Sequence, residues 1–239
     1  MKKLFVVVVV LAMALVGATA AFAGIANSKH DLSNGSTTTI KDSNAVNGLS
    51  SCQFCHTPHN ANLGMVAAPL WNKTNNVTSY IVYGGLVAGG TGTTLGNTQV
   101  GAPGQHSLTC LSCHDGLLSV GATYVNGTEP IQGAGQGASG NGRLNVGNIN
   151  NIGTTAAGND LRDDHPVGLV YTPAAPGAGL AAIATIQTLS YKLFAEVAAG
   201  RAANSFECAS CHEVHDNTTN PPFLRRPKAG MCSECHSGK

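Results

Sequence analysis

Cys52-Gln53-Phe54-Cys55-His56, Cys110-Leu111-Ser112-Cys113-His114, Cys208-Ala209-Ser210-Cys211-His212 and Cys232-Ser233-Glu234-Cys235-His236 together use all eight cysteines of the chain. Each is one copy of C-x-x-C-H, the attachment signature of c-type haem. The spacing has a physical reason. Two thiols three residues apart reach the two vinyl groups on one porphyrin edge and form thioethers, and the next residue supplies the proximal imidazole. Two other readings use the same cysteines. A disulfide framework needs an even cysteine count but no histidine after every second cysteine. Zinc ribbons use C-x-x-C pairs with tetrahedral closure and also leave four histidines without a role. The motifs therefore predict four haem c groups, with thioethers at Cys52, Cys55, Cys110, Cys113, Cys208, Cys211, Cys232 and Cys235. The proximal iron ligands are His56, His114, His212 and His236.

Working outward, the histidine supply decides the other face of each iron. Nine histidines are present, so five remain: His30, His59, His106, His165 and His215. Outside the first 23 residues the only methionines are Met65 and Met231, and Met231 abuts Cys232. Bis-histidine ligation follows, with lower reduction potentials than Met/His ligation gives. His59 and His215 each stand three residues after a proximal histidine. So short a segment cannot round a macrocycle, and each must ligate a haem other than its own. His165 precedes Pro166, which holds it extended and able to reach a distant haem. His30 lies near the start of the exported chain, where an axial bond would tie down a terminus. His106 lies four residues before Cys110, whose haem it can hardly cap from the far side. The expected distal set is His30, His59, His165 and His215, with His106 the odd one out.

The N-terminus reads as an export signal. Lys2 and Lys3 precede an apolar run from Leu4 to Val16, and Ala21-Phe22-Ala23 fits a signal-peptidase site. The run falls short of the roughly 20 residues of a membrane-spanning helix. No cysteine precedes Cys52, so no lipid anchor is expected. Residues 1–23 are read as a Sec signal peptide and residues 24–239 as a single tetrahaem domain. Formal charge is only +1, with no basic patch, which argues against nucleic-acid binding.

Aromatic residues make up 5% and charged residues 10%, with 30 glycines. Such a chain buries little apolar surface and loses much backbone entropy on ordering, so it needs a non-protein core. The expected fold is mostly irregular, with a few short α-helices and minimal β-structure, wrapped around four haems whose faces replace the missing core. About a quarter helix is expected, below the globular average. Short helical turns should carry each motif. A longer helix is read from Leu180 through Ile183, Ile186, Leu189, Leu193, Phe194 and Val197, ended by Gly200. Gly127 to Gly158 reads as loop.

The motifs together resemble the multihaem c-type cytochromes of metal-reducing bacteria, and more narrowly the extracellular tetrahaem cytochromes of the OmcE type. The resemblance rests on Ser28 to Ser33, Cys52 to Asn60 running on to Pro69-Leu70-Trp71-Asn72, Cys110 to Gly116, Asp164 to Val167 and Cys208 to Asp216. It implies a secreted cytochrome that polymerises into a conducting filament, or nanowire, with some haems ligated across subunit contacts, and that passes electrons to other redox proteins and external acceptors. The wider family also implies a monomeric periplasmic carrier. On the long polar arm Asp31 to Ser51, His30 is one expected crossing ligand; another distal histidine, with His30 folded onto its own chain, is the alternative. Electron transfer rather than enzymatic reduction is expected, because spare histidines suffice to close every iron. A structural or adhesive filament is a third reading.

Overall fold

The computed structural model describes residues 24–74, 79–83, 85–87, 91–95, 98–132, 142–144, 152, 159–173 and 179–237. The signal-peptide reading and most of the Gly133–Gly158 stretch lie outside them. Helix and strand are both minor components and the chain is mostly irregular. Among the described residues, no helix is long and apolar enough to cross a membrane.

All four motifs form a helical turn. The second closes helix α1 (Gln105–His114). Helix α2 is Ile183–Thr188, α3 is Cys208–Cys211 and α4 is Met231–Cys235.

 The third motif is thus α3 itself and the fourth ends α4, while α2 belongs to the preceding segment and packs beneath both. The first motif is a single turn. In motifs one, three and four the histidine N–H donates to the carbonyl of the first cysteine: His56 to Cys52 at 2.8 Å, His212 to Cys208 at 3.1 Å and His236 to Cys232 at 2.8 Å. This i→i−4 bond puts both thiols and the imidazole on neighbouring positions of one helical face.

The expected long helix from Leu180 is corrected. Helix α2 stops at Thr188, and Ser190 has φ 73°, a left-handed conformation that a helix does not continue through. The remaining apolar positions enter strand β10 (Phe194–Glu196) and a 3-10 turn, Val197–Ala199, before Gly200 reverses the chain at φ 75°. Strand β10 pairs with β11 (Arg201–Phe206), so cross-strand bonding outcompetes the helical pattern.

The strands before β10 are short. They are β1 (Lys41–Asp42), β2 (Tyr80–Val82), β3 (Gly85–Val87), β4 (Thr91–Leu95), β5 (Thr98–Gly101), β6 (Ala122–Thr123), β7 (Gly127–Thr128), β8 (Ile131–Gln132) and β9 (Leu169–Val170). One five-stranded antiparallel sheet has the order β10-β11-β9-β5-β4, and β1-β8, β2-β3 and β6-β7 form two-stranded pairs. This is more organised β-structure than the sequence suggests. Part of the stretch read as loop, Gly127 to Gln132, contributes β7 and β8.

Gly168 starts β9 with φ 76°. A Cβ there would stand 2.6 Å from the Gly101 carbonyl oxygen and 2.8 Å from that of Ala102. Its N–H donates to Phe206 and its carbonyl accepts from Gly101, which anchors the His165-Pro166 segment to the sheet.

Two small apolar clusters replace a single core. One holds Leu169, Tyr171, Ala181, Ile186, Tyr191, Phe206 and Cys235. The other holds Tyr80, Val82, Val100, Leu111 and Leu161. Each contains a residue of an attachment motif, Cys235 in the first and Leu111 in the second.

Candidate haem-binding site

Local carbonyls orient several of these histidines. The His56 Nδ1 lies 2.7 Å from the Pro69 carbonyl oxygen, and that of His165 lies 3.0 Å from the Pro166 oxygen. A carbonyl on Nδ1 fixes the proton there and leaves Nε2 as the metal ligand. His212 also donates to a backbone carbonyl, that of Pro222.

Three proximal histidines each face a histidine of the expected distal set. The ring centres of His30 and His114 are 5.9 Å apart, those of His56 and His215 are 6.1 Å apart, and those of His165 and His236 are 6.4 Å apart. An iron held between two imidazoles separates their ring centres by about 6 Å, given metal–nitrogen bonds of about 2.0 Å and a ring radius of about 1.1 Å. The interplanar angles, 59°, 21° and 58°, are all compatible with rotation about a shared axis. His215 meets His56 and not His212, the proximal residue three positions before it, as the short intervening segment requires.

Among the described residues, the fourth pair does not form. His59 is exposed, and among the described residues its ring meets no other ring. His212 is exposed too and faces no imidazole at this spacing among the described residues. His30, in contrast, stacks on Phe223 at 4.3 Å. Burial, reinforced by His114, His212 and His215, pushes its imidazole down to about 3, so it stays neutral and its lone pair is free for a metal. Burial lowers His165 in the same sense. His30 therefore folds onto its own chain.

His106 stands apart, as its position implies. Its ring stacks on Phe194 at 3.8 Å, and Nδ1 lies 2.6 Å from Glu196 Oε1. Glu196 also accepts from the backbone N–H groups of Gln105 and His106 at the start of α1, which holds its carboxyl below the usual range despite burial. His106→Ala should leave every haem low-spin while costing about 1 kcal/mol of stability. Absorption spectra and denaturant unfolding of the same sample check both halves.

All eight cysteines are unpaired. Burial pushes the Cys55 thiol up to about 11 and the Cys211 thiol up to about 12, whereas Cys208 is lowered by its hydrogen bond with Cys110. The motifs adjoin in order. Cys55 feels Cys113, Cys110 is hydrogen-bonded to Cys208, and Cys211 feels Cys235.

One network was not readable from sequence. Glu207 is fully buried. Its Oε1 accepts from Arg201 at 3.0 Å and Ser205 at 2.6 Å, and its Oε2 from the Gly104 N–H at 3.0 Å and Ser107 at 2.6 Å. Ser107 Oγ in turn accepts from the Cys208 N–H at 2.9 Å. A glutamate directly before a C-x-x-C-H motif is the only local signal. The network fastens α1 to α3, and so the second motif to the third.

The family described as a doubled CXXCH motif matches residues 201–239, which hold the third and fourth motifs. No curated protein matches the chain. The family match indicates a protein like the multihaem c-type cytochromes, with covalently bound c-type haem and a part in electron transfer.

Proposed function

We propose that the chain is a tetrahaem electron-transfer protein that assembles outside the cell into a cytochrome filament of the OmcE type, carrying electrons to external acceptors. The observation that carries the tetrahaem reading is the set of three histidine pairs at 5.9, 6.1 and 6.4 Å. When bound, haem supplies one-electron exchange between ferric and ferrous iron. The chain's own residues would do the rest. Eight cysteines would hold the porphyrins, with His30 and His114, His215 and His56, and His165 and His236 the paired iron ligands. The adjoining cysteines of successive motifs would set the cofactors in the order one to four.

The filament is supported by the two of the eight expected ligands left over. Among the described residues, His59 meets no proximal histidine and His212 meets no distal one. A bond from His59 of one copy to the haem of His212 in the next is heterologous and does not close on itself, so repetition gives a fibre. The alternative, a monomeric periplasmic carrier, leaves the His212 haem open, and an open iron is also what a reductase would use.

The test is mass and ligand binding. Denatured protein should keep its colour, with a mass equal to the chain from Gly24 plus four haems. The assembled protein should be low-spin in both redox states and bind carbon monoxide poorly. Fewer haems, or zinc, would sink the tetrahaem reading. Carbon monoxide binding at one haem in assembled protein would favour the open-iron reading.

A further inference from the structure

Among the described residues, two buried donors beside the first motif have no anion as partner. Trp71 is 8% exposed, and its indole Nε1–H has no hydrogen-bond partner among the described residues. Two residues on, Lys73 is 1% exposed, and its ammonium donates to the Val120 and Ala122 carbonyl oxygens at 2.9 and 2.8 Å. Among the described residues no carboxylate stands within ion-pair distance of it. Asn72, between them, turns instead to the Gln53 carbonyl at 2.7 Å and accepts from the Val125 N–H at 3.1 Å.

Both donors belong to the first motif by contact. The Trp71 ring meets His56 edge-on at 6.0 Å. The Asn72 N–H donates to the Cys55 carbonyl at 2.8 Å, and the Cys55 thiol feels the Lys73 charge. A buried N–H without an acceptor and a buried ammonium without a counter-charge are each unfavourable. The propionate carboxylates arriving with the cofactor would supply what each lacks.

We propose that Trp71 and Lys73 form the propionate site of the haem attached at Cys52 and Cys55, with Trp71 Nε1–H donating to the carboxylate and Lys73 neutralising it. The proposal rests on the tetrahaem reading. Withdrawing negative charge from the propionate favours the ferrous state, so this pair raises the reduction potential of the first haem.

Trp71 is the single tryptophan of the chain, which makes its N–H directly readable. Ultraviolet resonance Raman of the holoprotein should show a hydrogen-bonded indole. Trp71→Phe keeps the apolar ring and removes the donor. It should shift the reduction equilibrium of one haem about tenfold toward ferric, about 59 mV for a one-electron couple, and leave the other three nearly unmoved. Lys73→Met should move the same haem in the same direction. If Trp71→Phe fails to fold, Lys73→Met and the Raman spectrum of the native protein decide. A free indole N–H, or four unmoved potentials in a variant retaining four low-spin haems, overturns the proposal. Peptide mass spectrometry separates the two failures: a Cys52–Cys55 peptide without haem overturns the tetrahaem reading itself.

Discussion

Glu207→Ala should destabilise the holoprotein by about 3–5 kcal/mol, the cost of leaving a buried charge without its partner. Arg201 is 7% exposed on its side chain and its Nη2 lies 3.0 Å from Glu207. Its other contacts are Ser205 Oγ at 2.6 Å and the carbonyl oxygens of Ala102 and Ala199 at 2.8 and 3.3 Å. None of these is an anion. Loss of Glu207 also frees Ser107 and the Gly104 N–H at the start of α1. Glu207→Ala with Arg201→Met should recover part of the loss, because the stranded cation goes too. Denaturant unfolding of both variants, with four haems attached, measures the difference. A double variant no more stable than Glu207→Ala would place the cost in the α1 contacts instead of the ion pair.

His59→Ala should abolish filaments and turn one haem per chain high-spin. His30→Ala should also turn one haem high-spin but leave filament assembly in place. The two variants remove ligands of the same chemistry, yet His30 closes a pair inside its own chain and His59 closes none among the described residues. Electron microscopy reads assembly, and absorption or electron paramagnetic resonance reads spin state. Filaments of normal length from His59→Ala, with every haem low-spin, would rule out His59 as the crossing ligand. Loss of filaments only in His30→Ala would return that role to the N-terminal arm.

C-x-x-C-H is a local chemical code, so the expected attachment and proximal residues are read from spacing alone. His106, set apart in the sequence by its position close before Cys110, is held by Glu196 in the structure. Which distal histidine meets which proximal one was not legible. His215 reaches His56 across most of the chain, and no local pattern encodes that path. The Leu180 to Val197 segment failed for a related reason. Its apolar spacing fits a helix, but Phe194 and Glu196 find β11 partners in Ser205 and Arg201, a tertiary choice that periodicity cannot express. Glu207 looked like an ordinary polar residue because its partners at Gly104 and Ser107 are about a hundred positions away.

The placement of Cys235 has a consequence for biogenesis. Its side chain packs with Leu169, Ile186 and Phe206, and burial pushes its thiol above the usual range. Thioether formation needs that sulfur presented to a porphyrin vinyl group by the maturation machinery. Once the cluster has closed, the sulfur is shielded on the protein side. On the tetrahaem reading, covalent loading of the fourth motif would have to precede closure of this cluster, with the cofactor in place before the tertiary structure.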